Sequence, residues 1–213
     1  MNFDKIKFMS LGSNCANLGF IKNRIKGPVD NLSGCRNIVC FEVLFDGDSI
    51  IEELNSDPII TDRTPNFEGD SDKYYSYKHY IVCHNDPRTE KYKMEFEKRL
   101  RTFQEFIKSI NNPDQYLIYS LGTAEINKYK HTLQSDNPIQ AEIDFLKNKG
   151  LLNKTIFVGC KNVNIKNNWD YYSEDFIKKF PNINYILIED LNIWKPLESQ
   201  KQFEEKFLKL GLI

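Results

Sequence analysis

The 213-residue chain sets 29 Lys+Arg against 30 Asp+Glu, so its formal net charge of −1 gives no global basic field to gather nucleic acid or anionic lipid. Hydrophobic residues at 40% and aromatics at 13% are ample for a packed core. No Gly/Ser/Pro-rich linker divides the chain and no apolar run is long enough for a bilayer, so one domain over residues 1–213 with no membrane and no nucleic-acid partner is expected.

Lys7–Cys15 reads as a short strand running into a Gly-Ser-Asn turn that opens a helix. Phe8, Met9 and Leu11 supply the apolar strand, Gly12 permits a sharp turn, and Ser13 or Asn14 can cap the helix carrying Leu18, Ile21 and Ile25. Cys15 falls in the first helical turn. Unpaired N–H groups and the positive end of the dipole there stabilise a thiolate. The same turn suits an anion, with Gly12, Ser13 and Asn14 as its ligands.

Lys26–Asn31 is a turn around Pro28, with Asp30 as a turn or capping residue and a candidate carboxylate. The segment 36–46 fits a helix or a strand, and helix is the preferred reading. Residues 47–73 read as an irregular insertion with one short helix around Ile50–Leu54. Tyr74–Val82 alternates as one strand. It ends at Cys83-His84-Asn85-Asp86-Pro87, where Asp86 as cap and Pro87 as first residue start a helix running to about Ile110. Tyr92, Phe96, Leu100, Phe103, Ile107 and Ile110 form its apolar stripe. His84 lies just ahead of that positive helix end, which favours a neutral ring able to accept a proton.

Tyr116–Leu121, Thr155–Val158 and Tyr185–Ile188 are apolar strands. Helices follow them after Asn137-Pro138 (with Gly150 as stop), after Ser173, and over Leu197–Leu210. The resulting fold class is α/β: a mostly parallel sheet of about five strands with helices on both faces, Rossmann-like and three-layered, not a typical papain fold. Ligands in such sheets lie beyond the carboxyl ends of the strands, here Gly12–Cys15, Ser120–Thr123, Gly159–Asn162 and Glu189–Asp190.

Five cysteines (Cys15, Cys35, Cys40, Cys83 and Cys160) are too few and scattered for a disulfide scaffold, and free thiols in a reducing compartment are the simpler reading. With no basic-then-apolar N-terminal pattern, a cytoplasmic location is expected. No metal and no cofactor is expected, since Cys83-His84 lacks a second ligand pair. The plain alternatives are a Cys15 that only packs the strand–helix corner and a His84 that sits at the surface.

Ser10-Leu11-Gly12-Ser13-Asn14-Cys15 resembles the strand, S-L-G-x-x-C, helix signature of a bacterial family labelled papain-like cysteine peptidases (the DUF1796 group). Pro28-Val29-Asp30-Asn31 stands where that family has P-F-D-W, and both aromatics are lost. His84-Asn85-Asp86 stands where it has His-Asp, and Lys98-Arg99-Leu100 through Phe103 matches its basic helix. The resemblance runs over roughly the first half of the chain. It implies Cys15 as nucleophile, His84 as base and Asp30 or Asp86 as the group orienting the histidine. Two further classes stand beside this small-molecule or peptide hydrolase or acyl transferase. One is a transferase or binding protein for a phosphorylated or nucleotide-sugar ligand, as in surface-polysaccharide synthesis. The other is a non-catalytic interaction domain.

Overall fold

The computed structural model describes residues 3–10, 37–39, 47–65, 68–69, 71–78, 80–82, 85–120, 138–160, 178, 180–188 and 196–212. Four strands, β1 (Lys7–Ser10), β6 (Gln115–Ser120), β7 (Thr155–Cys160) and β8 (Asn184–Ile188), form a parallel sheet in the order β1-β6-β7-β8. Ser10 pairs with Ile118, Ile118 with Ile156, and Ile156 with Asn184. Side chains alternate across the two faces, as a sheet covered on both sides requires. Phe8, Tyr116, Ile118, Ile156, Val158, Ile186 and Ile188 line one face, and Met9, Leu117, Tyr119 and Phe157 the other.

Helices α2 (Glu90–Lys108) and α3 (Pro138–Asn148) share the second face's cluster through Phe96, Leu100, Phe103, Phe106, Ile143 and Leu146. Helix α4 (Pro196–Lys209) covers the first face through Phe203 and Phe207. The Phe207 ring lies 5.4 Å from Phe8 and 5.2 Å from Tyr116, both in edge-to-face geometry. Helix α3 stops as its sequence predicts. Gly150 takes φ +69°, Leu151 N–H donates to the Leu146 carbonyl at 2.8 Å, and Gly150 N–H donates to Lys147 at 3.0 Å. This is a Schellman cap, closed by the apolar contact of Leu151 with Leu146.

The stretch 74–82 is not one strand. It folds back on itself as β4 (Lys73–Ser76) and β5 (Tyr80–Val82), with Tyr75 opposite Val82 and Ser76 opposite Ile81. Its turn carries no Gly, Pro or Asn, so apolar alternation runs through the reversal without a signal. The parallel sheet therefore has four described strands instead of about five. The hairpin belongs to a second, antiparallel sheet of order β2-β5-β4-β3, with β2 spanning Asn37–Val39 and β3 spanning Ile59–Asp62.

The preferred helix at 36–46 is corrected too, since β2 (Asn37–Val39) pairs with β5; residues 40–46 lie outside the described set. The insertion at 47–73 holds the expected helix, α1 (Gly47–Leu54), but also an unexpected edge strand, β3 (Ile59–Asp62). All four β3 residues are exposed, so no inside–outside alternation marks it. Ile50 and Leu54 of α1 and Tyr75, Tyr77 and Val82 of the small sheet join the cluster beneath α2.

Candidate functional site at the carboxyl edge of the parallel sheet

Because all four strands run the same way, their last residues mark a single edge. Two described elements adjoin the predicted segments in sequence. Strand β1 ends at Ser10, and Cys15 follows by five residues. Helix α2 ends at Lys108, and a short turn then enters β6 at its amino end, where Lys7 N–H donates to the Asp114 carbonyl at 2.7 Å. The helix thus finishes at the amino edge and begins on the opposite side. Its N-cap, Thr89, follows His84 by five residues. Cys15, Asp30, His84, Gly12, Ser13 and Asn14 themselves lie outside the described residues, as do Leu121–Thr123, Lys161–Asn162 and Glu189–Asp190.

Asp86 is described, and its role differs from the expected one. The helix begins at Glu90 and not at Pro87. Thr89, in extended backbone geometry, caps it by accepting from Tyr92 N–H at 3.3 Å. The Asp86 carboxylate instead accepts from the backbone N–H of Arg88 at 3.0 Å and from its guanidinium at 2.9 and 2.7 Å. Arg88 also lies 5.4 Å over the Tyr75 ring. The hydrogen bonds from Arg88 hold the Asp86 carboxyl below the ordinary range. The local rule that won is the Asx turn: a short carboxylate reaches the N–H two residues on more readily than it caps a helix three residues away. Nearby, burial pushes the Tyr77 phenol up to about 12.

At the third expected strand end, Gly159 leaves room for a neighbouring side chain. A Cβ built there meets the Tyr185 hydroxyl at 2.4 Å and the ring carbon bearing it at 3.2 Å. Sequence reading missed Gln200. It lies on α4 at the spacing of Phe203 and Phe207, so it shares their sheet-facing stripe and is only 4% exposed. Its amide nitrogen and oxygen both lack a hydrogen-bond partner among the described residues. The signal was available as a polar residue at an apolar stripe position, Gln200-x-x-Phe203-x-x-x-Phe207.

Among the described residues no group of three or more His, Cys, Asp or Glu side chains could hold a metal ion, and no helix is long and apolar enough to cross a membrane. Comparison of the chain with family models, with curated proteins and with solved structures finds no match in any of the three.

Proposed function

We propose that the protein is a cysteine-dependent hydrolase or acyl transferase acting on a small-molecule or peptide amide or thioester, with Cys15 as nucleophile and His84 as base. The supporting observation is topological. The strand leading to Cys15 ends at the carboxyl edge of a parallel sheet, and the helix that follows His84 starts on the same side. Asp30 or Asp86 is the carboxylate assigned to orient the imidazole, and Asp86 also pairs with Arg88. In this reading His84 takes the Cys15 proton, the thiolate attacks the carbonyl carbon, and the protonated ring returns the proton to the leaving group. Water or an acyl acceptor then resolves the thioester. The parallel sheet is of the Rossmann-like kind, and the free thiols fit a reducing cytoplasm. The resemblance of Ser10–Cys15 to the S-L-G-x-x-C segment is what suggests Cys15 as the nucleophile.

Competitive alkylation tests this. At neutral pH, iodoacetamide is expected to label Cys15 ahead of the other four cysteines, and Cys15→Ala to abolish turnover of an amide or thioester substrate. Labelling of Cys15 no faster than the rest overturns the proposal. Thermal stabilisation by nucleotide sugars that survives Cys15→Ser would transfer the site to the phosphate-binding reading of Gly12–Asn14.

A further inference from the structure

From the orphaned amide of Gln200 we infer a ligand-recognition group at the carboxyl edge of the parallel sheet, one that reads a neutral carbonyl and N–H presented side by side. The position follows from the packing of α4. The helix ends at the amino edge of the sheet, where the Tyr116 hydroxyl donates to the Leu212 carbonyl at 2.9 Å and Phe3 packs on Phe207. It therefore runs back along the strands, and its first turns lie toward their carboxyl ends. Phe207 sits over Phe8 and Tyr116. The seven residues from Phe207 back to Gln200 span about 10 Å of helix, roughly three residues of strand. Gln200 is thus level with the ends of β1 and β6, where the chain leaves toward Cys15.

Side chains on a helix lean toward its N-terminus, so the Gln200 amide leans further in that direction, between helix and sheet. An amide buried to this degree with neither atom paired is a costly arrangement, and such groups persist where something outside the fold satisfies them. Gln200 offers one acceptor and two donors in a plane. The complementary group carries a carbonyl and an N–H in the same plane, forming two parallel hydrogen bonds. A carboxamide has this edge, and so does the imide edge of a nucleobase. A phosphate does not.

The inference rests on the proposed site only for its location. Ligand-observed NMR on the full chain with N-acetylglycinamide and with uridine tests it, using the N,N-dimethylamide and N3-methyluridine as controls. At least one N–H probe is expected to bind and its methylated counterpart not to. The contrast is expected to disappear in Gln200→Met and to persist in Cys15→Ser. Which probe binds separates an amide substrate from a nucleobase. Gln200→Met and Gln200→Leu are also expected to raise Tm, by roughly 3 °C or more, because an unpaired buried amide is removed. No binding by either probe, equal binding of the methylated controls, or a lowered Tm in both variants overturns the inference. Unselective alkylation of Cys15 with retained probe binding would sink the hydrolase proposal alone.

Discussion

Replacing Gly159 by alanine tests whether the carboxyl end of β7 is packed shut. Gly159 pairs with Leu187 in the sheet interior, and its missing side chain is filled by the Tyr185 phenol. A new Cβ at 2.4 Å from the hydroxyl oxygen cannot be accommodated without moving the ring or the strand. The ring sits beside Phe157 and other buried groups, so the movement is resisted. Overpacking of this kind costs about 1–3 kcal/mol, or roughly 3–10 °C in Tm for a chain of this size. Tyr185→Phe removes the closest atom and leaves ring carbons at 3.2 and 3.3 Å, contacts that a small shift relieves. A double-mutant cycle in urea, read from midpoints at constant m, is therefore expected to show a favourable coupling of about 1–2 kcal/mol between the substitutions. Simple additivity would refute the packing argument.

Phe207→Ala removes a fully buried ring that contacts Phe3, Phe8, Tyr116 and Phe203, and is expected to cost about 3–5 kcal/mol in urea unfolding; a loss below 1 kcal/mol would contradict the seating of α4. Asp86→Asn is expected to cost less than about 1 kcal/mol at neutral pH, because half of the Arg88 side chain is solvated. The Asp86 carboxyl titrates below its ordinary value of 3.8 in the folded protein, so its contribution is present above that pH and fades as the acid limb is descended. Thermal unfolding of the two proteins from pH 7 down to pH 2 should therefore converge below about pH 4, and a gap that widens there would be the wrong sign.

Much of the architecture was legible because its signals are redundant. The strands of the parallel sheet are apolar on both faces and read as short apolar runs, while α2, α3 and α4 carry apolar stripes at helical spacing. Phe106 widens the α2 stripe beyond the residues expected, since a helix covered by both α1 and a sheet buries more than one narrow seam. The small sheet was not legible for the opposite reason. Strand β3 is exposed along its whole length, and the β4–β5 reversal lacks turn residues, so pairing alone defines them. In the site region, the competition between Arg88 and the α2 N-terminus for Asp86 is settled by geometry two residues apart, which composition does not encode.

Described polar groups at the amino edge of the parallel sheet can be set against the Gln200 amide near its carboxyl edge. At the amino edge polar groups tie the chain to itself. The Lys154 ammonium donates to the Asn112 carbonyl at 2.9 Å and lies 4.8 Å over the Tyr116 ring, and the Tyr116 hydroxyl holds the Leu212 carbonyl. Thr155 donates to the Leu151 carbonyl at 2.9 Å and Ser109 to the Gln115 side chain at 3.0 Å. Toward the carboxyl edge the buried Gln200 amide has no such partner among the described residues. If the amino edge serves stability and the carboxyl edge serves a ligand, matched substitutions must act in opposite directions. Tyr116→Phe loses a satisfied hydrogen bond and is expected to lower unfolding free energy by about 1 kcal/mol, whereas Gln200→Met deletes an unsatisfied amide and is expected to raise it by a similar amount. Urea midpoints of the two variants decide the matter. Destabilisation by both would mean that the carboxyl edge is built for holding the fold together in the same way as the amino edge.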